Sequence, residues 1–175
     1  LKVFRPCDTV ETAECWELAL RNADGPSVLA LSRQGLPPMR REHNADNWSQ
    51  HGAYILEAAD SHRQATLLAS GSEVAVAIEA KHLLEEEGIA AAVVSIPSWE
   101  LFMEQPPHYR DEVLGPGTLQ VAVEAASPFG WEKWVGLEGT VVGMRSFGAS
   151  APAGDLYNHF KITPEEVAAT VREWL

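Results

Sequence analysis

The sequence predicts an α/β fold built on a mainly parallel, doubly wound sheet. Short apolar runs at 65–70, 89–96, 118–124 and 140–144 have the length of strands. Stretches with helical spacing and capping residues alternate with them, which calls for a mainly parallel sheet covered on both faces. The composition, 46% apolar and 22% charged, is an ordinary globular mixture and argues against disorder.

Each element has a local reason. Asp8 can cap a helix, with Glu11 placed for the reciprocal capping-box bond. Val10, Ala13, Trp16, Ala19 and Leu20 then recur at helical spacing, and Asn22 to Pro26 ends the run. Ser27 to Ser32 is a short apolar run between turn signals and reads as a buried strand. From Gly35 to about Gln64 the character changes. Gly35, Pro37 and Pro38 break regular structure, polar residues dominate to Gln50, and Gly52 to Glu57 has the pattern of a short strand. Long structureless loops are uncommon inside a compact domain, so 37–64 reads as a linker.

Ala65 to Ser70 restarts the apolar rhythm as a strand, and Gly71 supplies a tight turn. Ser72 is a candidate N-cap for a helix running to about Glu87, with Gly88 in the place of a left-handed C-cap residue. Ile89 to Ile96 is a β-branched strand, ended by Pro97. Helical turns are expected from Ser98 and over Tyr109–Leu114. Thr118 to Glu124 and Thr140 to Met144 are two further strands, with a helical piece over Phe129–Val135 between them. Thr163-Pro164-Glu165-Glu166 is a strong helix start, and Val167, Thr170, Val171, Trp174 and Leu175 give the final helix its apolar stripe.

A length of 175 residues suits one average domain, or one domain plus part of another. Leu1 in place of an initiator Met suggests a start inside a longer protein. The 13 basic and 25 acidic residues leave a net charge of −12, which disfavours non-specific binding to nucleic acid or an anionic membrane. Mean hydropathy is −0.13, with no apolar run near the roughly 20 residues that span a bilayer and no secretory signal. Cys7 and Cys15 are no disulfide framework and read as reduced thiols in a reducing, cytoplasmic compartment. The histidines (His43, His51, His62, His82, His108, His159) are scattered, with no i, i+4 pair for a metal, so no metal ligand is expected.

Chemistry has few candidate places. Arg33 of Ser32-Arg33-Gln34 follows the carboxyl end of a strand, the edge where open α/β sheets gather ligands. Its planar fork suits phosphate or carboxylate; a surface salt bridge explains it equally well on spacing alone. Ser70-Gly71-Ser72-Glu73 joins a strand to a helix start and is more simply a structural cap than an anion site. Glu124, without an evident partner, reads as structural. Trp131 and Trp134 read as core or interface rather than a nucleobase platform. Gly143 to Pro152 reads as a backbone bend carrying packing residues, and Glu85-Glu86-Glu87 as a solvated face. No catalytic set can be assembled from sequence order.

The order of several segments resembles the transketolase family. Val3-Phe4-Arg5-Pro6-Cys7-Asp8, Gly25-Pro26 and Leu29-Ala30-Leu31-Ser32-Arg33-Gln34 resemble the end of its pyrimidine-binding domain. Ala69-Ser70-Gly71-Ser72-Glu73-Val74, Val94-Ser95-Ile96-Pro97-Ser98, Val121-Ala122-Val123-Glu124-Ala125 and Phe147-Gly148-Ala149-Ser150-Ala151-Pro152-Ala153 are similar to signposts of its C-terminal domain. The resemblance implies residues 1–36 as a remnant of the pyrimidine-binding domain, 37–64 as the linker and 65–175 as the C-terminal domain, whose sheet has one antiparallel edge strand. It implies a homodimeric transferase of the pentose phosphate pathway that moves a two-carbon ketol unit between sugar phosphates, with thiamine diphosphate and Mg²⁺ or Ca²⁺. It further implies that Arg33 reaches the sugar phosphate.

The family's Gly-Asp-Gly diphosphate motif is absent from this chain. The glutamate that activates the cofactor and the histidines of the sugar channel lie upstream of Leu1 in the family, so no catalytic residue is carried over. The 175 residues alone are expected to be inactive and to bind no cofactor. A stand-alone regulatory or ligand-binding module is the alternative. So is the C-terminal domain of deoxyxylulose-phosphate synthase or of an oxo-acid dehydrogenase β-subunit.

Overall fold

The computed structural model describes residues 1–41 and 44–175. Glu42 and His43, both within the segment 37–64 read as a linker, lie outside the described residues. Strand β1 (Lys2–Phe4) leads into helix α1 (Thr9–Arg21) and β2 (Ser27–Leu29). A 3-10 turn at Trp48–His51 precedes β3 (Tyr54–Glu57) and β4 (Ala65–Ala69). Helix α2 (Glu73–Glu86), β5 (Ala91–Ser95), α3 (Trp99–Glu104), α4 (Pro107–Leu114) and β6 (Leu119–Glu124) follow. Helix α5 (Glu132–Val135), β7 (Thr140–Gly143), α6 (Ala153–His159) and α7 (Pro164–Trp174) complete the chain.

Five strands form one sheet in the order β3-β5-β4-β6-β7. β4 pairs in parallel with β5 and β6, and β6 with β7; β3 joins β5 antiparallel at the edge, with Tyr54 opposite Ser95. The expected doubly wound sheet with one antiparallel edge strand is therefore present. β3 itself comes from the segment read as a linker. Consecutive residues of a strand face opposite ways. Leu67, Val93 and Val121 pack on one face with Val74, Ala77 and Leu84 of α2 and Val167 and Val171 of α7. Leu68, Val94 and Ala122 pack on the other with Phe102, Val113, Trp131 and Trp134. Of the two readings offered for Trp131 and Trp134, core or interface, the structure shows core.

Local chemistry fixes the ends. Asp8 accepts a hydrogen bond from the Glu11 amide at 2.8 Å. Glu11 returns the bond one residue early, accepting from the Cys7 amide at 2.7 Å. Thr163 caps α7 through the Glu166 amide, and Gly88 takes the left-handed conformation past α2 (φ 82°). Ser72 differs from expectation. Its own backbone is helical and its hydroxyl makes no cap bond, because that hydroxyl is spent on Glu73. The bend before Pro152 also differs, since Phe147 is fully exposed rather than packed. Phe129 is exposed too, and the helix near it starts only at Glu132.

The first 36 residues make a separate two-stranded parallel sheet, β1 with β2. The strand expected over Ser27–Ser32 stops at Leu29 and is half-exposed rather than buried, because β1 is its only strand partner among the described residues. Helix α1 packs against the larger unit. Cys15 and Phe4 meet Leu101, and Glu11 accepts from Tyr54 at 2.6 Å and from Ser95 at 2.5 Å. The Asp8 carboxylate accepts the amides of Met39 and Arg40, both at 3.0 Å. Arg40 in turn pairs with Glu14 at 2.5 Å and lies over the Trp48 ring. Cys7 and Cys15 are free and buried, and burial raises both thiols well above their ordinary range.

Candidate functional site

The chain leaves β4 toward β5 on one side, and β6 lies on the other. The crevice between the carboxyl ends of β4 and β6 is therefore the topological switch point, where this kind of sheet takes ligands. Its walls are the Ser70–Glu73 turn and Glu124-Ala125. Its occupant is Arg5, the residue that follows β1.

Arg5 forks onto Glu124, with Nη1 at 2.6 Å from Oε2 and Nη2 at 2.7 Å from Oε1. A two-pronged bond of this kind is among the strongest ionic contacts a protein makes. Glu73 Oε1 lies 3.6 Å from the same guanidinium. Both carboxylates are buried, whereas the Arg5 side chain is 34% exposed. The backbone of Arg5 is held as well: its carbonyl accepts from the Gly71 amide at 3.0 Å, and its amide donates to Pro97 O at 2.8 Å. Gly71 makes this turn with φ 59°, a conformation natural to glycine.

The cluster extends outward. Trp131 donates its indole N–H to Glu124 at 3.0 Å. Glu73 accepts from the Ala125 amide at 2.7 Å and from the Ser72 hydroxyl at 2.7 Å, and Tyr157 donates to Ser72 at 2.8 Å. The Arg5 guanidinium holds its proton more firmly beside Glu124. Burial pushes the Glu73 carboxyl up, against the bonds from Ala125 and Ser72. Burial also pushes the Tyr157 hydroxyl up to about 12, so it remains a donor. The Gly71 amide is taken by the Arg5 carbonyl, and the Glu73 carboxylate already places negative charge in the first turn of α2, which favours a structural cap over an anion site.

Arg33 stands apart from this crevice. It lies in an exposed bend four residues past β2. Among the described residues its guanidinium makes no ion pair and no hydrogen bond, so nothing there supports the salt-bridge reading. Its neighbours are placed more firmly. Ser32 lines a groove of about 250 Å³ with Pro6, Asp8 and Thr12. Gln34 lines a cleft of about 330 Å³ with Ser72, Ala125, Met144 and Tyr157. Among the described residues, no group of three or more His, Cys, Asp or Glu side chains is placed to hold a metal ion.

Sequence reasoning singled out Glu124 and the Gly71–Ser72 turn but missed Arg5, their shared partner. The missing signal is distance along the chain, since 119 residues separate Arg5 from Glu124.

Comparisons with known proteins agree with this fold. Residues 52–163 match the family model for the transketolase-like C-terminal domain. The chain is 55% identical over 176 residues to a transketolase of Sinorhizobium medicae, covering 100% of this chain and 25% of that protein. It is 51% identical to one from Rhodobacter capsulatus, covering 98% of this chain and 26% of that one. Among solved structures, a transketolase from Leishmania mexicana superposes with a TM-score of 0.89 at 44% identity, over 99% of this chain and 25% of that one. A Pichia stipitis transketolase solved with sedoheptulose 7-phosphate gives 0.89 at 35% identity, over 98% and 25%.

Proposed function

This chain belongs to the transketolase family, and we propose that it is the C-terminal part of an enzyme that transfers a two-carbon ketol unit between sugar phosphates. It spans about a quarter of the length of the curated relatives it matches. Residues 1–36 would close the pyrimidine-binding domain, 37–64 would cross between domains, and 65–175 would form the C-terminal domain. The whole enzyme would be a cytoplasmic homodimer. Among the described residues no helix is long and apolar enough to cross a membrane. Relatives at 44–55% identity that all carry the transketolase name favour this reading over a stand-alone module.

The residues present do not fit thiamine diphosphate and its metal. The Gly-Asp-Gly motif is missing from the sequence, and the switch-point crevice is filled by Arg5. Cofactor binding therefore belongs to the parts of the enzyme outside these residues.

The contribution of this chain to the reaction is Arg33 as a contact for the substrate phosphate. One observation carries this: a guanidinium on the loop beyond β2, exposed and without an ionic partner among the described residues. Arg33→Ala in the full-length enzyme should raise KM for a phosphorylated donor by about ten-fold or more, the effect of losing one charge-assisted hydrogen bond. A donor without phosphate should change much less. An equal rise for both donors would overturn the assignment.

A further inference from the structure

We propose that the Arg5–Glu124 fork is a positioning device that seats the Arg33 loop against the C-terminal domain; the inference rests on the reading of Arg33 as the phosphate contact. The switch-point crevice of a doubly wound sheet is an open ligand site in most such domains. Here the chain fills it from within. Arg5 meets Glu124 in the fork and Glu73 beside it, and its backbone is pinned to Gly71 and Pro97. One residue thus ties β1 to the carboxyl ends of β4, β5 and β6.

Two paths lead from that anchor to Arg33. Along the first, β1 carries β2 in register, Ala30 donates to Phe4 O at 2.8 Å, and Ser32 shares a groove with Pro6, the residue after Arg5. Along the second, Glu73 holds Ser72, Ser72 holds Tyr157, and both hydroxyl residues line the cleft that Gln34 also lines. The residues on either side of Arg33 therefore border two surfaces whose walls include Pro6, next to Arg5, and Ser72, bonded to the Glu73 that faces Arg5. Arg33 itself has no partner among the described residues, so the placement of its neighbours is what aims it. Glu124 and Arg5 touch no substrate in this arrangement; they act through Arg33.

The test uses the full-length enzyme with a phosphorylated and an unphosphorylated ketose donor. Glu124→Gln removes half of the fork while keeping shape. It should raise KM for the phosphorylated donor about three- to ten-fold and leave kcat within about two-fold, the size of coupling between adjoining networks. The unphosphorylated donor should respond little. In an Arg33→Ala background the same substitution should add nothing, because its route to the substrate is gone. Equal effects on both donors, or an additive effect on top of Arg33→Ala, would overturn the positioning role. If Arg33→Ala shows no phosphate-selective defect, the assignment of Arg33 falls first and this inference with it. If Arg33→Ala is selective and Glu124→Gln is not, only the inference falls. Should Glu124→Gln fail to fold, Arg5→Lys, which keeps the charge and loses the fork, is judged by the same two criteria.

Discussion

Glu11 shows how one residue can stitch two units and still titrate. It is fully buried, yet accepts bonds from Tyr54, Ser95 and the Cys7 amide. Those donors favour the carboxylate, but burial outweighs them and raises its pKa above the ordinary 4.5. The folded state then holds the proton more tightly than the unfolded chain. Its stabilising share is complete below pH 4.5 and is lost as pH climbs through the raised value. Urea unfolding should therefore show stability falling above pH 4.5, by at most about 1.4 kcal/mol per pH unit for one proton. Glu11→Gln should flatten that slope; an unchanged slope would mean that another group carries it. Gly52 is a second strict position. It sits at φ 77°, and a Cβ there would run into the Phe102 amide and the Ser98 carbonyl. Strain and overpacking together should make Gly52→Ala cost about 2–4 kcal/mol, read from the denaturant midpoint.

At the scale of elements, what could be read from the sequence was what carries a period or a cap. The Thr163-Pro164 start announces α7; of its expected stripe Val167 and Val171 are buried, whereas Trp174 and Leu175 at the helix end are exposed and Ala168 is buried instead. The strands of the large sheet were legible because each is a short apolar run with turns at its ends. Helix α6 was not, since none of its residues is buried and no apolar stripe marks it. β1 was missed because three residues are too few to show a pattern. The structure also reveals a turn that sequence gave no reason to suspect. Lys161, between α6 and α7, has φ 56°, a left-handed backbone that costs an L-residue about 1 kcal/mol or more. Lys161→Gly should remove that cost and, after its own added chain entropy, gain about 0.5 kcal/mol by urea unfolding. A loss of stability would show that the Lys161 side chain contributes more than the strain removes.

For the whole molecule, the larger part is the five-stranded sheet with helices on both faces, and the smaller part is the β1–β2 pair. A two-stranded sheet of three-residue strands is too small to stand alone, so its order comes from contacts with the larger unit. Those contacts are charged and polar as much as apolar: Arg5 on Glu124, Glu11 under Tyr54 and Ser95, Asp8 on the Met39 and Arg40 amides. None of them could be paired from sequence, because carboxylates and cations carry no period that names a distant partner. With its sheet crevice filled and no diphosphate motif, the 175-residue chain should show no heat of binding for thiamine diphosphate and Mg²⁺ in calorimetry. Micromolar affinity would refute that division of labour.

The fork between Arg5 and Glu124 also sets an order of events. On a ribosome adding roughly 5–20 residues per second, more than a hundred residues must emerge after Arg5 before its partner exists. The segment made first here is thus among the last to be secured. Until then Arg5, just past β1, has no buried counter-charge to meet. Pulled from the N-terminal side, the same strand should be the first to let go, which makes assembly and forced unfolding of this chain mirror images of each other.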